Sequence, residues 1–310
     1  MVTDQRRKIG GVVVVAALVV AGASACSGAG GDRTTDVGGG SSQTPTSTGA
    51  EATPTFSSSY IGYLNLTTGE ISTTEILPHN SAIDVSPDGD RIAYAADGIV
   101  SIADLDGSNG QVLEGTRGDP TGPQWSPDGS SIVFQDGGNL YVVDVGSGKV
   151  RPITELEGVD TAALSYLSPT FDPSGDTVVF NMPTTVGGDR YALWSVAVID
   201  GEPWLVGEPT LVRKAATFGD VSPDGTQIAF VEDGGFGDLF VAPTAGGKAQ
   251  KLATGEIVVP RWSPDGTRIA FNDGSGGVYV VDVRTGERTL VVESDHLPAW
   301  VDDDTLSLSP

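Results

Sequence analysis

Short apolar stretches recur along the chain, each framed by turn-forming residues. Arg91-Ile92-Ala93-Tyr94, Ser131-Ile132-Val133-Phe134, Thr177-Val178-Val179-Phe180, Gln227-Ile228-Ala229-Phe230 and Arg268-Ile269-Ala270-Phe271 have the length and the β-branched and aromatic content of strands rather than helices. A fixed signature precedes four of them: Ser86-Pro87-Asp88-Gly89, Ser126-Pro127-Asp128-Gly129, Ser222-Pro223-Asp224-Gly225 and Ser263-Pro264-Asp265-Gly266. Two degenerate copies complete the set. Asp172-Pro173-Ser174-Gly175 keeps the turn chemistry, while Trp300-Val301-Asp302-Asp303-Asp304 keeps the preceding aromatic and loses both Pro and Gly.

The signature is a hairpin device. Pro presets φ near −65°, Asp tolerates the next turn position, Gly takes a positive φ, and the Ser hydroxyl can bond the turn backbone. Successive copies stand about 40 residues apart, with two longer intervals of about 46 and 50. A third strand follows each hairpin, as in Leu140–Asp144 and Val278–Asp282, and a Gly-containing turn such as Gly146-Ser147-Gly148 leads to a fourth. Four antiparallel strands at this period make one blade of a propeller.

The ends complete each other. Tyr60–Leu66 and Glu70–Leu77 supply two strands before the first signature, and only Thr305–Leu308 follows the last. The expected fold is therefore all-β, a six-bladed β-propeller of four-stranded antiparallel blades. Its last blade takes two inner strands from the C-terminus and two outer strands from the N-terminus, which leaves no open seam.

The pattern in Val259-Pro260-Arg261-Trp262-Ser263-Pro264-Asp265-Gly266, followed by Ile269-Ala270-Phe271, resembles the WD40-like repeats of the TolB propeller family, from about Tyr60 to the C-terminus. The resemblance implies the fold and says less about function, because the same repeat occurs in propellers of prolyl oligopeptidase-type enzymes and in sensor ectodomains. TolB itself adds an N-terminal α/β domain, for which this chain has no room, so a place in a Tol-Pal system is not expected.

Ahead of the repeat, Arg6, Arg7 and Lys8 precede an apolar run from Ile9 to Ala21 and the small residues Gly22, Ala23, Ser24 and Ala25. This is the layout of a secretory signal peptide. The run is shorter than the roughly 20 residues a bilayer span needs. Cys26, the only cysteine, cannot form an intramolecular disulfide, and its setting resembles a bacterial lipobox, although Ala23 stands where a bulky aliphatic residue is usual. The expected division is residues 1–25 signal peptide, 26–58 lipidated Cys26 with a Gly/Ser/Thr/Pro/Ala tether, and 59–310 propeller. The folded part then stands on the outer face of the cytoplasmic membrane, held by a lipid anchor, and is expected to be a monomer.

Charge narrows the partners. With 41 acidic against 17 basic residues the net charge is −24, which opposes nucleic acid and anionic head groups. Candidate chemistry is sparse. Two histidines and one cysteine leave little for a zinc site. Neither a Gly-x-Ser-x-Gly elbow nor a P-loop is present. Asp104–Gly110 superficially suggests a calcium loop but lacks the third ligand and terminal Glu. No catalytic residue, metal or cofactor is assigned.

What differs between repeats is where function is sought. Two places before each Ser equivalent stand Asp84, Gln124, Thr170, Asp220, Arg261 and Ala299, mostly polar and mutually unmatched. His79 and His296 precede the first strands of neighbouring blades. Candidate channel-face binding residues are therefore His79, Asp84, Asp220, Arg261 and His296, the alternative being the lining of a hydrated channel. The two long intervals place Tyr166, Tyr191, Trp194 and Trp204 around the third blade as a candidate loop interface or as extra core. The leading expectation is a non-enzymatic module that binds an envelope protein or a small ligand. The rivals are an envelope hydrolase or lyase using carboxylates and histidine at the channel mouth, and a sensor module for a membrane partner.

Overall fold

The computed structural model describes residues 60–75, 83–156, 167–183, 191–198, 207, 209–232 and 236–309. Cys26, His79, Tyr166 and Trp204 lie outside them. Twenty-three strands and one 3-10 turn, Glu114–Thr116, make up the regular structure of this part.

Three sheets follow the chain directly. The first holds β3 (Asp84–Val85), β4 (Arg91–Ala96), β5 (Ile99–Asp104) and β6 (Gln111–Val112). The second holds β7 (Thr121–Trp125), β8 (Ser131–Asp136), β9 (Asn139–Asp144) and β10 (Val150–Pro152). The third holds β11 (Thr170–Phe171), β12 (Thr177–Pro183), β13 (Tyr191–Ala197) and β14 (Thr210–Lys214).

A seven-stranded sheet comes next: β15 (Ala216–Val221), β16 (Gln227–Glu232), β17 (Gly237–Pro243), β18 (Gln250–Trp262), β19 (Arg268–Asn272), β20 (Gly277–Asp282) and β21 (Arg288–Glu293). β18 is long enough to pair with β17 through its first half and with β19 through its second. One strand thus closes one group of four and opens the next. The last sheet joins the chain ends. β22 (Leu297–Asp302) pairs with β23 (Thr305–Ser309), β23 with β1 (Tyr60–Asn65), and β1 with β2 (Ile71–Glu75). The expected division of this sheet between the two termini is what the structure shows.

Innermost strands pack in a cycle: β3 on β7, β7 on β11, β11 on β15, β15 on β18, β18 on β22, and β22 back on β3. The core lies between sheets, built from the alternate residues of the middle strands that face a neighbour. Ala93, Ile102, Trp125, Ile132 and Phe134 share one cluster, and Leu239, Trp262, Ile269 and Phe271 another. Phe134, Phe180, Phe230 and Phe271, at one position of the repeat, are all fully buried.

The hairpins show why the signature reads as it does. Ser86 Oγ donates to Asp88 Oδ1 at 2.5 Å and accepts from Arg91 N at 2.9 Å, and the same pair of bonds recurs at Ser126, Ser222 and Ser263. Asp is thus an acceptor that fixes the Ser hydroxyl, a larger part than tolerance of a turn position. In the degenerate copy Asp172 takes the serine's place: its Oδ1 accepts from Thr177 N at 3.0 Å and from Ser174 Oγ at 3.0 Å. The turn glycines sit at φ between 69° and 78°, as in Gly266 and Gly175, and a Cβ on Gly129 or Gly266 would meet the proline of the preceding hairpin, Pro87 or Pro223.

Candidate functional site

The six unmatched positions fall on β3, β7, β11, β15, β18 and β22, the strands of the inner cycle. The backbone there is shaped to present them. Register shifts occur just before Gln124, Asp220 and Arg261, and Gly122, Ser168, Phe218 and Val259, four residues before each hairpin, all take positive φ of 41° to 56°. Such bulges re-aim the residues that follow.

Asp84, Asp220 and Arg261 are brought together. Arg261 Nη1 lies 4.0 Å from Asp220 Oδ1, and Thr170 Oγ1 donates to the same oxygen at 3.4 Å. Asp84 feels the attraction of Arg261 and the repulsion of Asp220, so the three charges share one narrow space. Gln124, Thr170 and Ala299 complete the lining as buried residues.

Both carboxylates also hold neighbouring sheets together. Asp84 Oδ2 accepts from Trp125 N, and Asp220 Oδ2 from Trp262 N, each at 2.7 Å. The tryptophan indoles extend the latch: Trp262 Nε1 donates to Asp220 O at 3.1 Å and Trp300 Nε1 to Arg261 O at 3.0 Å. Burial dominates the acidity of both groups. It pushes Asp84 up to about 6, with Arg261 and the Trp125 N–H pulling the other way and Asp220 adding to the rise. Asp220 is raised for the same first reason, opposed by Arg261, the Trp262 N–H and the Thr170 hydroxyl.

A second set of latches was not anticipated from the sequence. Nine residues after the first hairpin residue, Gln135 Oε1 accepts from Leu167 N, Asn181 Oδ1 accepts from Phe218 N, and Asn272 Nδ2 donates to Ser294 O and His296 O. Each ties a second strand to the entry of the following sheet. The repeat offers the signal, since this position is Ala95 and Val231 in the other copies, and an amide at a buried strand end needs a partner.

His296 is buried before β22, with its Nδ1 2.8 Å from Ser294 Oγ and its carbonyl held by Asn272. Its approach to His79 concerns a residue outside the described part. Tyr191 opens β13. Trp194, on the same strand, packs against the cluster of Val133, Leu140, Phe171 and Phe180 and buries its indole N–H without a hydrogen-bond partner among the described residues. Among the described residues no three His, Cys, Asp or Glu side chains group as a metal site, and no helix is long and apolar enough to cross a membrane.

A cycle of antiparallel sheets around a polar lining defines a β-propeller, and solved structures give it a type. A structure described as a TolB protein from Agrobacterium tumefaciens matches 81% of this chain and 98% of its own, with a TM-score of 0.63 and 17% identity. TolB from Acinetobacter baumannii matches 84% of this chain and 66% of its own, with a TM-score of 0.54 and 17% identity. The fold is therefore that of a TolB-like propeller. In sequence, the chain is 32% identical over 133 residues to the uncharacterized peptidase YuxL of Bacillus subtilis, a match covering 40% of this chain and 20% of that protein. The chain thus spans about a fifth of that relative. No protein-family model matches.

Proposed function

We propose that this chain is a six-bladed propeller, with β18 counted in two blades, that acts outside the cytoplasm as a non-enzymatic binding module. It is tethered to the outer face of the cytoplasmic membrane through lipidated Cys26 and residues 26–58. Asp84, Asp220 and Arg261 form its recognition centre for an envelope protein or a small ligand. The observation that carries this reading is their convergence: two desolvated carboxylates share one arginine, so a ligand cation entering the channel gains an attractive partner that the protein supplies only in part. The TolB-like fold supports an interaction role in kind.

The anchor is tested by metabolic labelling with a fatty acid: label in the parent and none in Cys26→Ser supports it, and equal label in both removes it. The recognition centre is tested by crosslinking in intact cells. A partner captured by the parent and lost in Asp220→Asn together with Arg261→Gln supports the reading, and capture that survives both changes refutes it.

A second reading has its own observation. A carboxyl raised to about 6 is placed to exchange a proton near neutral pH, which suits a hydrolase or lyase site, and the matching relative carries a peptidase name. Turnover of a peptide substrate that Asp84→Asn abolishes would favour it over the binding role.

A further inference from the structure

Two seams between sheets are filled at one place by the same two positions of the repeat: the first residue of the second strand from one sheet and the residue before the hairpin from the next. Arg91 lies 4.8 Å from the ring centre of Trp125, and Arg268 5.1 Å from that of Trp300. Between the second and third sheets the same positions hold Ser131 and Phe171, so a long cation and an indole are replaced by a hydroxymethyl and a smaller ring. Thr177 and Val221 at the next seam are also small, but there β12 packs directly on β15. β4 likewise packs on β7, β16 on β18 and β19 on β22, whereas β8 and β11 scarcely meet.

The result is a groove of about 680 Å³, within the range of roughly 300–1,000 Å³ usual for small-ligand sites. Pro127, Pro173 and Val198 give it an apolar side, with Val142 and Phe171 buried beneath. Its polar side is rich in acceptors. The hydroxyls of Ser126 and Ser130 donate to Asp128 and that of Ser147 to Asp144, which fixes two of the carboxylates that line the groove. Cationic donors come from Lys149 and Arg151, beside the carboxylates of Asp128, Asp144 and Asp176.

We propose that the groove between the second and third sheets binds a saccharide of one or two rings that carries a carboxylate. Ring hydroxyls donate to the aspartate oxygens, the C–H face covers the surface of Pro127, Pro173 and Val198, and the carboxylate meets Lys149 and Arg151. A phosphate or other compact dianion is disfavoured, because three carboxylates line the same space. A simple amine is disfavoured by the two cations. The groove is separate from the channel centre, so neither proposal stands or falls with the other.

The test is calorimetric titration of the full chain with a disaccharide containing one uronic acid, a neutral disaccharide of the same linkage, and inorganic phosphate. The uronate sugar is expected to bind most tightly. Ser131→Arg rebuilds the filled seam and is expected to weaken that binding by about tenfold or more, with thermal unfolding at or above the parent temperature; tenfold corresponds to about 1.4 kcal/mol. Lys149→Ala, at an exposed position, is expected to remove the preference for the uronate over the neutral sugar. Absence of saccharide binding up to about 10 mM, which corresponds to a binding free energy weaker than about 3 kcal/mol, overturns the proposal. Binding that Ser131→Arg and Lys149→Ala both leave intact overturns it too, as does phosphate binding as tightly as the sugar.

Discussion

Asp84 sets two demands against each other at a single side chain. Its carboxylate is needed as the acceptor for Trp125 N, yet burial makes its charge costly. Because its folded-state acidity lies near 6, above the unfolded value of 3.8, the folded protein holds the extra proton between these two values. Its contribution to stability is therefore full below about pH 4 and is lost as pH rises through about 6. Asp84→Asn keeps an oxygen for Trp125 N and removes the charge. The variant is expected to match the parent near pH 4 and to exceed it at pH 7.5 by up to about 3 kcal/mol, the equivalent of a shift of about two pH units. Urea unfolding at the two pH values measures this, and equal stabilities at pH 7.5 would refute it. Asp88, Asp128 and Asp224 run in the opposite sense. Hydrogen bonds from Ser86, Ser126 and Ser222 hold their carboxyls below the usual range, so the stability they add is present above about pH 4 and fades as the pH falls through their own titration. The parent should accordingly weaken in strong acid even though Asp84 does not. Much of this residue-level picture could be read from the repeat, where Asp84 and Asp220 stand at the same unmatched place. The latch they form could not be, because a carboxylate bonded to the backbone of the next sheet leaves no contiguous motif. Its trace is the pairing of an Asp in one repeat with Trp125 or Trp262 in the next, a rule that Arg261 and Trp300 break.

At the scale of the hairpin, one serine joins the turn to both strands. Ser263 is fully buried, and its hydroxyl donates to Asp265 at 2.6 Å and accepts from Arg268 N at 3.0 Å. Ser263→Ala removes the donor and the acceptor together while leaving the shape, and is expected to cost about 1–3 kcal/mol. Gly266→Ala acts differently: φ is +69° and Pro223 Cδ stands 3.6 Å from the site of the new Cβ, so backbone strain of about 1–3 kcal/mol is the larger cost. If the two hairpin variants unfold in guanidinium at the parent midpoint, the hairpins are not held as described. The element that sequence reasoning did not foresee is β18. Thr254-Gly255 in the middle of it looks like a turn between blades, yet Gly255 N bonds Asp238 Oδ1 at 3.2 Å and the chain runs on as one strand into Trp262. Glycine marks a break by composition alone. Here a side chain from β17 supplies the bond that carries the strand through.

For the molecule as a whole, closure depends on five residues. β23 lies between β22 and β1, so its loss would leave the innermost strand β22 without its neighbour and the N-terminal pair β1–β2 without an attachment. Leu306 and Leu308 are fully buried in the cluster shared with Leu64, Ala270, Val278 and Trp300, which extends into the sheet of β19 and β20. Removing residues 305–310 therefore strips the joint and part of the next seam at once. Shortening a free terminus would matter little, whereas opening a ring exposes two sheet faces and two unpaired edges. The truncated chain is expected to lose its cooperative thermal transition and to be cut by protease ahead of β3, releasing the segment that contains β1 and β2. A double substitution, Leu306→Ala with Leu308→Ala, keeps the backbone pairing and removes only packing. It should retain a single transition at a lower temperature, at a cost of about 4–10 kcal/mol for two buried leucines. If the truncation melts as cooperatively as the parent, the ring is not held through its ends, and the cycle of inner strands that places Asp84 opposite Asp220 and Arg261 must be closed by contacts elsewhere.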